Sequence, residues 1–394
     1  VQVRSRLANF GTTIFQLMSE RARLYDAVNL GQGYPDYPID SRLADLVGEA
    51  MRAGHNQYAP MIGVEALRTQ IAARLARRYG LAVDPEQEIT VTIGATEAIF
   101  SGVHALIGPG DEAIVFDPAY DTYEPAVLLA GARCVHVPLE PPHFAYDWER
   151  VRAALTPRTR LIIINSPLNP ACTCISEQDL RALEGLIEGR DITLLADEVY
   201  EQVVFDGAPH HSVLNFPALR ARSVAVYSFG KTLHATGLRI GYAVAPRQLT
   251  AELRKVHQFN TFTVPHALQV AVANYLAERP DHGTELSGFF AAKRDRFAAL
   301  LADGSFALLP SRGTYFQLVD YHGLSDVNDV EFADRLVREA GVASIPLSVF
   351  YQQPPRMTLL RLCFAKREET LAEGARRLVS YARDQMRARN GPAA

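Results

Sequence analysis

Between residues 65 and 275 the chain alternates short, β-rich apolar runs with stretches of helical periodicity. Seven runs, at 88–93, 112–116, 133–137, 160–165, 192–196, 223–228 and 240–245, read as strands. Several of them, such as LIIIN at 161–165 and ITLLA at 192–196, are nearly continuous in apolar residues. A strand with one wet face alternates polar and apolar positions. A strand apolar throughout must be covered on both faces, as in a mostly parallel sheet wrapped by helices. At 63–79, Leu67, Ile71 and Leu75 recur every four residues and mark one face of a helix. The pattern predicts an α/β fold whose large domain holds a mostly parallel seven-stranded sheet.

After Pro280 the texture changes. A helix around 286–301 precedes strand-like stretches at 305–310, 314–320, 342–346 and 357–363, then a helix from about Glu368. These predict a smaller α/β C-terminal domain. The expected division is 46–285 for the large domain, with 1–45 and 286–394 forming the small one, and 389–394 frayed.

The length of 394 residues fits two such domains at ~100–200 residues each. A net charge of −4 gives no general attraction to nucleic acid or anionic membrane. No apolar run approaches the roughly 20 residues that cross a bilayer, and the first residues carry no apolar signal-peptide core. A cytoplasmic protein is expected. Cys172 and Cys174 stand two apart, but no second Cys/His pair has zinc-site spacing, so small buried or loop thiols are expected instead of a metal site or a disulfide framework.

In open α/β sheets, ligands bind at the carboxyl ends of the strands. Several polar residues fall there. GATE at 94–97 opens an apolar helix after the first strand, and small residues at a helix start let amides approach a phosphate. Any strand-to-helix turn looks similar. Asn169, in NSPLNP at 165–170, offers an amide to a ligand oxygen or merely shapes a turn. Asp197 ends a buried run, where a carboxylate is costly unless a cation meets it; capping the next helix is the competing role. Lys231, in SFGKT at 228–232, follows another buried strand, where a lysine loses basicity and gains nucleophilicity. Ser228 and Arg239 add a hydroxyl and a cation suited to phosphate. The GKT is not a P-loop, because Ala225 stands where that motif needs glycine, and no G-x-G-x-x-G occurs.

Together GATEA, NSPLNP, ADEVY, SFGKT and TGLRIG, in this order, resemble the fold-type I pyridoxal-phosphate (PLP)-dependent aminotransferases of class I/II, in the kynurenine/glutamine aminotransferase-like branch. LGQGYPDYP at 30–38, NQYAPMIGVEALR at 56–68, FDPAYDTY at 116–123, IPLSVF at 345–350 and LRLCFAK at 360–366 extend the likeness over nearly the whole chain. The resemblance implies that Lys231 anchors PLP through an imine and then moves protons. It implies that Asp197 pairs with the pyridinium, that Asn169 and Tyr200 bind the phenolic oxygen, and that Tyr120 stacks on the ring. The phosphate would take Ala95, Thr96, Ser228 and Arg239, with Tyr58 from a second subunit of a homodimer. Arg361 would clamp the substrate carboxylate, its apolar flanks arguing against a surface salt bridge, and Gly33 would let the backbone approach the same group.

Phe15, Phe262, Tyr58 and Phe350 are candidates for an apolar substrate pocket, although core packing is the commoner fate of any one aromatic. With no second arginine evident for a side-chain carboxylate, the expected donor is methionine, with aromatic amino acids next. Alternatives are a cysteine-conjugate β-lyase on the same scaffold and, remotely, a PLP-binding regulatory module. The latter should carry a basic DNA-binding segment that this chain lacks. Two departures stand out. The family's N-P-T-G is here Asn169-Pro170-Ala171-Cys172, which puts the loop's shape in question, and Phe15 stands where relatives often have tryptophan.

Overall fold

The computed structural model describes residues 4–303 and 306–390. All seven apolar runs join one sheet, as Ile89–Thr92, Glu112–Asp117, Arg133–Pro138, Thr159–Asn165, Thr193–Asp197, Ser223–Ser228 and Gly241–Val244. Across the sheet the order is Ile89–Thr92, Gly241–Val244, Ser223–Ser228, Thr193–Asp197, Thr159–Asn165, Glu112–Asp117, Arg133–Pro138. Gly241–Val244 runs antiparallel to both neighbours, and the other pairs are parallel.

Burial explains the continuous runs. Ile114, Phe116, Ile162, Ile164, Leu194 and Ala196 belong to one apolar core; Ala113, Val115, Leu161, Ile163 and Leu195, from the same strands, belong to a second. Successive side chains point to opposite faces, and helices cover both. The helix expected from residue 63 starts later, as Glu65–Tyr79, because Gly63 has φ 101° and Val64 is extended. A Cβ at Gly63 would lie 2.3 Å from Val91 Cγ2, so glycine is required on both counts.

The remainder forms a four-stranded antiparallel sheet, ordered Ile345–Pro346, Leu359–Cys363, Phe316–Asp320, Ala307–Leu308, beside the helices Leu286–Leu301 and Glu368–Asn390. Three expectations need correction. The run 342–346 is not one strand: Val342–Ala343 pairs in parallel with Val28–Asn29, and Ile345–Pro346 pairs with Leu359–Cys363. The chain changes partners at Ser344; Pro346, lacking an N–H, donates nothing, and the pairing ends with the Leu347 amide on the Leu359 carbonyl at 3.1 Å. The run 305–310 shortens to Ala307–Leu308 ahead of Pro310, with 304–305 outside the described residues. Fraying does not start at Arg389, which lies in the last helix and donates to the Gly323 carbonyl at 3.1 Å; 391–394 lie outside the described residues.

The helix Ser41–Arg52 spans the expected boundary at 45/46, and its Arg42 donates to both carboxylate oxygens of Glu278, at 2.9 and 2.6 Å. Among the described residues no helix is long and apolar enough to cross a membrane, and the four cysteines are free.

Candidate active site

The parallel strands end on a common edge, where a cavity with about 520 Å³ of open space is walled by the residues that follow them. Asn165 and Asn169 contribute from one strand end, Asp197 and Tyr200 from the next, and Ser228, Lys231 and Arg239 from the third. Ala95 and Thr96 close one side and Tyr120 another. Every expected cofactor contact lines this cavity except Tyr58.

Asp197 is 4% exposed. Burial raises the pKa of its carboxyl group, while hydrogen bonds and the charge of Lys231 oppose that rise. Its Oδ2 accepts from the Tyr123 hydroxyl at 2.6 Å and its Oδ1 from the Val199 amide at 3.3 Å. Residues 199–202 form turns and no helix follows directly, so the competing role as a helix cap falls away. The backbone is equally fixed: the Asp197 carbonyl accepts from Asn165 Nδ2 at 2.8 Å and from the Ser166 amide at 3.1 Å.

Lys231 sits in the short helix Phe229–Thr232 that leaves the buried strand Ser223–Ser228. Among the described residues it has no carboxylate within ion-pair distance, and its Nζ lies 5.4 Å from the Tyr200 ring centre and 5.7 Å from that of Tyr315. Burial pushes the amine down to about 8, opposed by nearby Cys363 and Asp197. An amine so placed is a nucleophile near neutral pH.

At the opposite end the helix Gly94–Leu106 begins without a side-chain cap. The amides of its first turn, at Ala95 and Thr96, are natural anion donors. Gly94 has φ 68°, and a Cβ there would lie 2.7 Å from Arg239 Nη2. Gly241 is tighter still: a Cβ would meet the Gly94 carbonyl carbon at 2.6 Å and the Ala95 nitrogen at 2.7 Å. Two glycines thus let a helix start, a strand and an arginine converge, with Ser228 completing the cup.

Arg361, 1% exposed, projects from the central strand of the small sheet. Among the described residues no carboxylate lies within ion-pair distance of it, although Asp121 is near enough for the guanidinium to oppose the rise that burial gives its pKa. Nη1 donates to Asn169 Oδ1 at 2.6 Å, Nη2 to the Gly31 carbonyl at 2.9 Å, and Nε is buried without a partner. Its guanidinium lies 3.9 Å from the Phe316 ring centre and 5.1 Å from that of Phe15. A buried cation left unpaired costs several kcal/mol, so an incoming carboxylate is favoured here. Because the Asn169 oxygen is taken, its NH2 is the end free for a ligand oxygen. Phe15 and Phe350 pack together at 5.7 Å beside this arginine. Gly33 accepts from the Tyr315 hydroxyl at 2.6 Å, and a Cβ there would sit 2.8 Å from Phe316. Packing therefore demands that glycine, whatever approaches it.

Cys172 holds the loop after Asn169 with φ 63°, left-handed, where a glycine carries no steric penalty. Its amide donates to the Leu168 carbonyl at 2.8 Å, its carbonyl accepts from the Arg312 and Gly313 amides, and the thiol is buried. The loop is closed despite the substitution.

Tyr58 and Phe262 are not on the cavity wall. They are 81% and 46% exposed and meet each other edge-on at 5.3 Å. Conversely, Tyr123, Asn165, Tyr315 and Phe316 had no role assigned from their place in the chain. Tyr123 and Asn165 lay inside motifs already singled out, one ending an aromatic pair and the other a buried strand. Nothing local marks Phe316 as the surface on which Arg361 rests.

The half-buried lysine, the carboxylate awaiting a cation, and the cup of uncapped amides with serine and arginine fit an aldehyde, a pyridine nitrogen and a phosphate. Comparison with known proteins agrees. The model of the aminotransferase class I and II family matches residues 25–378. The methionine aminotransferase of Escherichia coli K12 is 48% identical over 374 residues, covering 95% of this chain and 97% of that protein. A probable N-succinyldiaminopimelate aminotransferase, DapC, of Mycobacterium tuberculosis is 39% identical, with 95% and 97% covered. Among solved structures, the E. coli methionine aminotransferase YbdL superposes with TM-score 0.95 at 47% identity, covering 96% of this chain and 100% of that one. The M. tuberculosis N-succinyldiaminopimelate aminotransferase follows at TM-score 0.93 and 39% identity, over 96% and 100%. The chain belongs to the class I and II aminotransferases, enzymes whose cofactor is pyridoxal phosphate.

Proposed function

We propose that this aminotransferase takes the amino group of L-methionine, and next of aromatic amino acids, and passes it to a 2-oxo acid in two half-reactions. Bound pyridoxal phosphate supplies an aldehyde carbon and an electron-withdrawing ring. Lys231 would be the amine that anchors that carbon, and its Nζ would be the base that carries the proton from the substrate Cα. Asp197 would pair with the ring nitrogen, Asn169 and Tyr200 would hold the phenolic oxygen, and Tyr120 would cover one face. Ala95, Thr96, Ser228 and Arg239 bind the phosphate, with Tyr58 of a second subunit. Arg361 orients the substrate carboxylate, beside Gly33.

The observation that carries this reading is the single cavity shared by Lys231 and Asp197, with the unanswered guanidinium of Arg361 behind Asn169. The methionine preference rests on the E. coli relative and on Phe15 and Phe350 beside Arg361, with Phe262 and Tyr58 added by the second subunit. Sulfur–ring contacts are worth ~0.3–1.5 kcal/mol each. The cations lining the cavity, Lys231 and Arg239, are both committed to the cofactor, which argues against donors with further carboxylates. The test is kcat/KM for methionine, phenylalanine, tyrosine, aspartate and N-succinyldiaminopimelate. Negligible turnover of methionine removes the assignment.

Two further readings belong here. We take the chain as a homodimer with shared sites, since Tyr58, Phe259 and Phe262 expose an apolar surface; an active monomer in light scattering defeats it. We also take 46–285 as the large domain, 1–45 with 286–394 as the small one, and the cytoplasm as its place, consistent with four free thiols.

A further inference from the structure

The geometry points to Tyr123 as a positioning residue that fixes the Asp197 carboxylate, in its charged form, for the ring nitrogen of the cofactor. This rests on the cofactor reading above and concerns a residue to which nothing so far gives a role.

Donors to the Asp197 carboxylate are scarce. A carboxylate at the end of a fully buried strand has few ways to stay ionised. Asp197 has two hydrogen bonds to its side chain, and they are unequal: the Tyr123 hydroxyl at 2.6 Å and the Val199 amide at 3.3 Å. The shorter one is the strong member. The other groups facing Asp197 are Tyr120, from the same loop as Tyr123, and Lys231, from the turn after the neighbouring strand. The side chain of Asn165 is occupied with the Asp197 carbonyl and the Asn169 amide.

Tyr123 is 3% exposed, and burial together with the adjacent carboxylate pushes its own ionisation far above the ordinary tyrosine range. It therefore remains a donor at every working pH. Its ring meets Tyr120 edge-on at 5.7 Å, and its amide donates to the Tyr120 carbonyl at 3.1 Å. One four-residue segment thus aligns the aromatic expected on the cofactor's face with the hydroxyl behind its nitrogen partner. Without that hydroxyl the carboxylate keeps one long amide bond, and burial favours the neutral acid. A neutral acid no longer offers the ring nitrogen a counter-charge.

Tyr123→Phe tests this, because it keeps the ring and removes one oxygen. In the reconstituted holoenzyme, kcat is expected to fall about tenfold, with KM for methionine within roughly twofold. The acid limb of the kcat–pH profile should move up by about one unit, since Asp197 then protonates more easily. Equilibrium dialysis should show PLP binding weakened about tenfold. Tyr123→His, which keeps a donor, should recover part of each change. Unchanged PLP binding and an unmoved acid limb in Tyr123→Phe overturn the proposal, as does loss confined to melting temperature. A wild-type protein that binds no PLP overturns the cofactor reading as well, whereas a normal wild type beside an unaffected Tyr123→Phe overturns this inference alone.

Discussion

The two ends of the cavity are built on different principles. At the inner end Asp197, Asn169 and Arg361 are all 9% exposed or less, and each is held by atoms of the same chain. At the outer end Ala95 and Thr96 are half-buried, Arg239 is exposed, and Tyr58 stands 81% exposed away from the wall. The inner end depends on burial: low dielectric raises the Asp197 pKa, pushes Lys231 down to about 8, and leaves Arg361 seeking an anion. The outer end depends on exposed amides and a solvated guanidinium, whose attraction for phosphate is screened by salt. One end is finished by folding; the other is completed, on our reading, by association.

Substitutions at each end sharpen that contrast. Lys231→Ala should have the largest effect, lowering transamination by at least ~10³-fold. The absorbance band of lysine-linked cofactor should vanish with it; a persisting band would mean another amine serves as anchor. Arg361→Lys follows. Losing the planar fork in a buried site should reduce kcat/KM about 100-fold, or ~3 kcal/mol. If methionine and an amine lacking the carboxylate lost rate equally, Arg361 would have no part in substrate binding. On the shared-site reading, Tyr58→Ala should weaken PLP only about tenfold, because it would remove one hydrogen bond to a charged group at the open end. Thermal stability should stay put, and added salt should weaken PLP binding in parent and variant alike.

The smallest effect is one of stability. A lysine titrates near 10.5 when unfolded, and here the folded value is lowered to about 8. Between those values the unfolded chain binds more protons, so folding gains stability as pH rises. The penalty is fully present below pH 8. Lys231→Met should therefore raise the melting temperature of the cofactor-free protein by a few degrees at pH 7, with the gain fading toward pH 10.5. A gain independent of pH would show that packing, and not charge, is responsible.

Much of the inner end was legible in the sequence for one physical reason. Strands covered on both faces leave long apolar runs, and a polar residue closing such a run, as Asn165, Asp197 and Ser228 do, must sit at the sheet's edge. Arg361 was legible by another signal, a cation in mid-strand between Leu360 and Leu362. Pairing over long sequence distance was not. Nothing within 342–346 says that Ser344 divides two sheets, because Val28–Asn29 and Leu359–Cys363 make that choice. Likewise Phe316 lies beneath Arg361 only through the register of Leu318 opposite Arg361.

The one reversed strand has a consequence for how this gene tolerates rearrangement. Since Gly241–Val244 enters the sheet at the edge where Ser223–Ser228 leaves it, residues 229–240 form a cassette closed at both ends on the same rim. Shuffled with a relative, that cassette would transfer Lys231 and Arg239 as a pair, whereas a crossover inside it would mismatch them. Its downstream boundary admits no variation: with the backbone of Gly94 and Ala95 against it, a saturation library at position 241 should return glycine alone.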